Sequence, residues 1–139
     1  MSIELNENQQ KTYNSTLKLC CEIESAMVTT VEPTDPSGIS AQLENLRPYL
    51  ANCSTMMSNA TAIFNWAKGE VANLIIVNEK LSNCKQTILL HYISGQLAKY
   101  SALYIRCESI EKNLRKSIEG LVSLLSYQKM LVTQNISGN

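Results

Sequence analysis

The stretch LAKYSALYIRCESIEKNLRKSIEGL, from Leu97 to Leu121, carries the most regular pattern in the chain. Its apolar residues return every three or four positions, which is the spacing of one face of an α-helix. The residues on this face are Leu97, Tyr100, Tyr104, Cys107, Ile110, Leu114, Ile118 and Leu121. Glu108 and Glu111 each precede a basic residue by four positions, an arrangement that stabilises a helix on its solvent side. The pattern predicts a long amphipathic helix whose apolar stripe, these eight residues, lies in a core or contacts another copy of the chain.

The predicted helix extends beyond this stretch, from about Ser82 to about Val132, which is on the order of 75 Å at 1.5 Å per residue. A globular chain of 139 residues is only about 35 to 40 Å across. The helix must therefore bend, at Gly95 or Gly120, or project as an arm of an antiparallel hairpin. A projecting arm with an apolar stripe favours a homo-oligomer held by coiled-coil-like contacts. The predicted fold is all-α: a long antiparallel helical hairpin or bundle, within one domain.

Prolines, glycine and serines interrupt the helical pattern at EPTDPSGIS, residues 32–40, which predicts a loop. This loop separates an N-terminal helical segment, residues 1–31, from a helical hairpin core, residues 41–133. The first helix is predicted from Ile3 to about Thr30. The last residues, 134–139, have the composition of a flexible tail.

Two further breaks are predicted inside the hairpin core. Ser40 is a plausible N-cap for a short helix that ends before Pro48, because proline disfavours helical backbone at the preceding residue. A longer helix then starts at Pro48 and ends in the break Asn78–Lys85, where Ser82 is positioned to cap the last helix.

The composition excludes several classes of protein. Lys plus Arg and Asp plus Glu number 12 each, so the chain lacks the global positive field of most nucleic-acid-binding domains. Five cysteines without a CxxC spacing favour a reducing compartment. The start, MSIELNENQQ, has no signal-peptide pattern, and no apolar run of about 18 residues exists to span a bilayer. We therefore expect a cytoplasmic protein without membrane contact.

Residues suited to catalysis are scarce. The chain has one histidine, His91, and one aspartate, Asp35. None of the spacings of a metalloprotease, a phosphate-binding loop or a nucleophilic triad is present. We expect no enzyme, no cofactor and no metal site, and we interpret His91, which neighbours the apolar stripe, as partly buried and structural or interfacial.

One group of side chains on the last helix has two interpretations. The group combines a tyrosine with basic residues: Tyr92, Lys99, Arg106, Lys112, Arg115 and Lys116. Such residues bind single-stranded nucleic acid or an acidic partner when they share a surface. They are also typical of a solvated, salt-paired helix face, and interspersed glutamates favour that simpler interpretation.

Two segments, RPYLANCSTMMSNATAIFNWAKGEVA and CESIEKNLRKSIEGLVSLLSYQK, resemble small helical proteins of bacteriophages and prophages from early or recombination gene modules. The likeness lies in a Pro-Tyr-Leu helix start, an alanine-rich middle helix and a long last helix ending LLSYQK. It implies a phage origin, hence the host cytoplasm, and transfers no catalytic residue. Together with the amphipathic arm, it favours a non-catalytic protein that binds a protein of DNA metabolism or host defence, as an accessory or inhibitor. Binding of single-stranded nucleic acid by the last helix is the alternative.

Overall fold

The first helix, α1, spans Glu7–Met27 and begins at a reciprocal cap. The Asn6 side chain accepts a hydrogen bond from the Gln9 backbone N–H at 2.8 Å, and the Gln9 side chain accepts one from the Asn6 backbone at 3.0 Å. This cap satisfies two backbone donors that would otherwise lack partners, so the helix starts four residues later than the predicted Ile3. The helix ends before the β-branched run that follows Met27, whose side chains lose rotamer freedom in a helix. The computed structural model describes residues 2–137, and the side chains of residues 2–135.

The second helix, α2, spans Pro36–Val77 without a break, so the predicted interruption at Pro48 and the predicted cap at Ser40 are both wrong. Pro36 occupies the first turn, where proline costs no hydrogen bond, and part of the predicted loop 32–40 is therefore helical. Pro48 lies on the solvent face, where water can solvate the carbonyl that loses its partner. Leu46 before it and Cys53 after it are both 1 % exposed, so packing holds the turns on either side.

A short helix, α3, spans Glu79–Ser82. It lies between the two long helices, so the predicted break between them is confirmed. The Asn78 side chain caps α3 by accepting from the Leu81 backbone N–H at 3.2 Å. Ser82 ends α3 instead of capping the last helix, and its hydroxyl donates to the Ile75 carbonyl at 2.6 Å. The end of α2 is thereby hydrogen-bonded to the turn that follows it.

The last helix, α4, spans Gln86–Ser137. Its 52 residues make it about 78 Å long at 1.5 Å per residue. The helix runs without a break through Gly95 and Gly120, the two predicted bend sites, and it continues through residues 134–137 of the predicted tail. Gly138 and Asn139 lie outside the described residues.

The long helices α2 and α4 pack as an antiparallel hairpin, and α1 lies along it. The Phe64 and Tyr104 ring centroids are 5.7 Å apart across the hairpin. On α1, Cys20 contacts Met56 of α2 and Cys107 of α4. Ala26, later in α1, bonds to Gln42, earlier in α2, so these two helices are antiparallel. Tyr13, earlier in α1, meets Tyr100, earlier in α4, so α1 and α4 are parallel. Among residues 2–137 no helix combines the length and apolarity needed to cross a membrane.

The helices divide into two regions by how many of them pack together. The body consists of α1 with residues 36–71 of α2 and 96–125 of α4, and it contains the buried core, while residues 126–137 continue α4 beyond the body. The hairpin tip consists of residues 72–95, where α2, α3 and α4 continue beyond the end of α1. Val71 is 2 % exposed and is followed by no buried residue until Tyr100. The core therefore ends where the third helix ends.

Candidate protein-interaction surface

Most residues of the predicted apolar stripe are buried inside the single chain. Tyr100, Cys107, Ile110, Leu114 and Ile118 belong to the core, and Leu97, Tyr104 and Leu121 pack partly buried against it. Tyr13 and Tyr100 meet edge to face at 6.3 Å, and burial raises the pKa of both phenols. These side chains are therefore occupied by contacts within the chain, and their predicted role between copies stays a prediction.

Two basic residues of the predicted recognition group face α1. The Lys99 ammonium lies 4.5 Å from the centroid of the Tyr13 ring, a cation–π distance. The Arg106 Nε donates to Glu24 Oε1 at 2.6 Å, and this bond holds the pKa of Arg106 above its ordinary value. The guanidinium also donates to Cys21 Sγ at 3.5 Å. Both cations are thus used to attach α1 to α4.

The remaining basic residues point elsewhere. Lys112 is exposed. At 100° per residue it lies about 120° around the axis of α4 from Arg106. Lys116 lies one turn further, at the edge of a groove of about 320 Å³ that Leu121 also lines. Arg115 is paired with Glu111 of its own helix at 3.2 Å. The structure therefore splits the predicted group over different sides of α4 instead of gathering it into one surface.

Tyr92, the aromatic member of that group, lies in the hairpin tip and is half-buried. Its hydroxyl is buried and has no hydrogen-bond partner among the described residues. Its distance along the chain from Lys112 and Lys116 is about 30 Å or more at 1.5 Å per residue, so it cannot stack a base that those lysines hold. Tyr92 and the lysines do not form a common site.

The titratable residues do not gather into a metal site in the part of the chain that the structure describes. No group of three His, Cys, Asp or Glu side chains there has metal-binding geometry. His91 is exposed in the hairpin tip, so the interpretation of a partly buried histidine is wrong. It faces solvent because α1 ends before reaching that level of α4.

The hairpin tip carries the feature that sequence reasoning missed, a group of large apolar side chains that remain exposed. Their exposed fractions are 75 % for Ile76, 74 % for Val77, 54 % for Ile88 and 54 % for Leu90. We call these four residues the tip patch. Val28 and Ile105 outside the tip are exposed to a similar degree, 78 % and 58 %, so exposure alone does not distinguish the tip.

Two members of the tip patch continue the side of the hairpin that α1 covers in the body. Ile88 precedes Arg106 by 18 residues, or five helical turns, and Arg106 bonds to α1. Val77 follows Asn59 by the same five turns, and Asn59 lines a groove with Asn8 of α1. The shortness of α1, 21 residues against 42 for α2, is the sequence signal from which this uncovered surface follows.

The fold and this surface define an all-helical protein with a three-helix body and a two-helix projecting tip. Comparison with protein-family models, with curated proteins and with solved structures gives no match for the chain. What the protein does has to be inferred from the residues themselves.

Proposed function

We propose that the protein is a non-catalytic helical interaction protein, and that its hairpin tip binds a second copy of the chain. The observation that carries this proposal is the uncovered side of the tip, where Val77 and Ile88 continue the surface that α1 covers in the body. Burying such exposed apolar area between two molecules stabilises their association, by roughly 25 cal/mol for each Å² removed from solvent.

A second tip has the chemistry to cover this side. Two hairpins packed together form a four-helix arrangement, and a two-fold axis lets each tip present Val77 and Ile88 to the other. Charge does not oppose the contact, because residues 72–95 contain one acid, Glu79, and two bases, Lys80 and Lys85, for a net charge of +1.

The test is the mass in solution, measured by size-exclusion chromatography with light scattering at high protein concentration. We expect twice the chain mass of 15.5 kDa for the wild type. The variant V77E/I88E introduces charge into exposed positions, so it should fold with unchanged helicity and elute as a monomer. The matched control V122E, at a position 39 % exposed in the body, should remain dimeric. A monomeric wild type, or a control that also dissociates, would contradict the proposal.

The target of the protein is a separate part of the proposal. We infer that it binds a protein of DNA metabolism or host defence, as an accessory or inhibitor, in the cytoplasm of a host cell. The support is the resemblance of the sequence to small phage proteins, together with the scarcity of residues suited to catalysis. A fluorescence titration of labelled protein against purified replication, recombination or restriction proteins tests it, and the tip variant V77E/I88E shows whether dimerisation is needed.

Single-stranded nucleic acid remains the alternative ligand, with less support. What favours it is the pair Lys112 and Lys116, which are both exposed and lie one turn apart on α4. What opposes it is the engagement of Lys99 and Arg106 with α1. We expect no change in anisotropy when a labelled single-stranded oligonucleotide is titrated at low salt. Binding that falls steeply with salt, and that R115E/K116E abolishes, would instead establish the alternative.

A further inference from the structure

Three sulfur atoms, one each from α1, α2 and α4, meet at the centre of the body. Cys20 Sγ of α1 lies 3.6 Å from Cys107 Sγ of α4 and 3.7 Å from Met56 Sδ of α2. All three residues are 0 % exposed, and all five cysteines are free thiols. The two facing thiols share a hydrogen bond, so they are already oriented toward one another.

The two thiols differ in acidity. The hydrogen bond from Cys107 holds the pKa of Cys20 below its ordinary value, and the nearby Arg106 charge acts in the same direction. The same hydrogen bond, together with burial, raises the pKa of Cys107. Burial also raises the pKa of Cys53, the third cysteine of the core. Because the thiolate is the reactive form of cysteine, Cys20 is the first of these thiols to react with an oxidant.

We propose that Cys20 and Cys107 form an internal oxidation site, at which a peroxide converts the two buried thiols into a disulfide that ties α1 to α4. A disulfide requires the sulfurs to approach from 3.6 Å to about 2.05 Å. This inference does not depend on the proposed function of the tip.

The chemistry balances with hydrogen peroxide as the oxidant. The Cys20 thiolate attacks one peroxide oxygen, the O–O bond breaks, and the departing hydroxide takes a proton to become water. The resulting sulfenic acid is then attacked by the Cys107 sulfur, which forms the S–S bond and breaks the S–O bond. The oxygen leaves as a second water with the proton of Cys107. The two thiols lose two electrons, and one peroxide is reduced to two waters.

Peroxide reaches the buried pair when α1 opens. Contacts of α1 with the hairpin are less extensive than those between α2 and α4, so α1 separates from the body more readily than α2 and α4 separate from each other. Peroxide is also small and uncharged, unlike glutathione disulfide. Once the bond has formed, it joins residues that are 87 positions apart in the chain, and α1 can no longer leave the hairpin.

The experiment uses the full chain with the two outer cysteines replaced, C21S/C84S, so that they cannot form links between molecules. After treatment with hydrogen peroxide, free thiols are alkylated under denaturing conditions and the digest is analysed by mass spectrometry. We expect a Cys20–Cys107 linked peptide, an alkylated Cys53 and a loss of two hydrogen atoms in intact mass. The melting temperature should rise by roughly 10 °C or more and return when dithiothreitol is added.

Two variants in the same background complete the test. C53S should keep both the link and the rise in melting temperature, whereas C20S should lose both. If C20S is too unstable to fold, peptide mapping of the parent protein still decides the result. Unlinked Cys20 and Cys107 after exhaustive peroxide treatment, or a link that contains Cys53, would overturn the proposal.

Discussion

The body and the hairpin tip are built from the same two long helices, yet only the body has a dry core. In the body, Met56 of α2 and Leu114 of α4 are each 0 % exposed. In the tip, Ile76 and Leu90 of the same two helices are 75 % and 54 % exposed. Both regions contain large aliphatic residues, so composition does not explain the difference.

The difference lies in the third helix. Two packed helices bury only the narrow seam between them, and a third helix closes one open side of that seam. Where α1 is present, residues at the edges of the seam such as Ile63 and Leu103 become buried. Where α1 is absent, the equivalent edges, Val77 and Ile88, stay in water. Burial in this protein is set by the number of neighbouring helices at each level.

The largest expected effect tests this comparison directly. Leu114→Ala should lower the free energy of unfolding by about 3 kcal/mol, because it leaves a cavity in the body. Leu90→Ala in the tip should lower it by less than about 0.5 kcal/mol, because the side chain is already half in water. Urea unfolding in the V77E/I88E background measures both without a contribution from association. Equal losses at the two sites would show that the tip is packed as tightly as the body.

The second prediction concerns the polar contact between α2 and the end of α1. The Gln42 amide, 7 % exposed, donates to the Ala26 carbonyl at 2.9 Å, near the end of α1 where carbonyls lack helical partners. Gln42→Ala should cost about 1 to 2 kcal/mol, since it leaves a shielded acceptor unpaired. Gln128, which is partly exposed and donates to the Pro33 carbonyl at 3.0 Å, is the matched control. Gln128→Ala should cost less than about 0.5 kcal/mol in the same urea titration.

The sequence predicted the helical class, the length of the last helix and the break between the two long helices, because each depends on local spacing. It missed the continuity of α2 through Pro48, because the packing of Leu46 and Cys53 outweighs a local preference. Spacing along α2 also does not show that Met56 and Ile63 are buried whereas Met57 and Phe64 pack only partly buried against the core. Which residue of each pair is buried depends on where α1 and α4 lie.

The candidate site was less predictable than the fold. The basic residues of α4 appear as one group in the sequence, but α1 docks among them and occupies Lys99 and Arg106. The exposure of the tip patch was not predicted, because the spacing of apolar residues does not show whether another helix covers them. Both errors have the same physical origin, the unknown position of the third helix.

The third prediction is a gain in stability within the tip. A Cβ added at Gly95 would meet no atom within 4 Å, and its backbone is already helical. Gly95→Ala should therefore stabilise the protein by about 0.5 to 1 kcal/mol, mainly by reducing the entropy of the unfolded chain. At Gly38 the added Cβ would lie 2.6 Å from Asp35 Oδ2, so Gly38→Ala should give a smaller gain or none. Urea titration measures both changes, and hydrogen exchange shows whether Gly95→Ala slows opening of the tip.

The smallest expected effect is the loss of the ion pair between α1 and α4. Arg106 and Glu24 form its ion pair to α4 at 2.6 Å, but their side chains are 37 % and 42 % exposed. A pair so accessible to water and salt contributes little, so Arg106→Gln should cost about 0.5 kcal/mol, and less at high salt. Arg115→Gln breaks an ion pair inside α4 at 3.2 Å and is the control for lost charge alone.

A double-mutant cycle of Arg106→Gln with Glu24→Gln separates the pair from the other contacts of each side chain. A coupling energy below about 1 kcal/mol would mean that the apolar contacts of Tyr13, Cys20 and Ile23 hold α1 in place. A larger coupling energy would mean that charge positions α1, and the boundary between body and tip would then shift with salt. If apolar contacts hold α1, the boundary between body and tip stays fixed as the salt concentration changes. Ile23 and Cys20 are 0 % exposed, and salt does not screen their contacts.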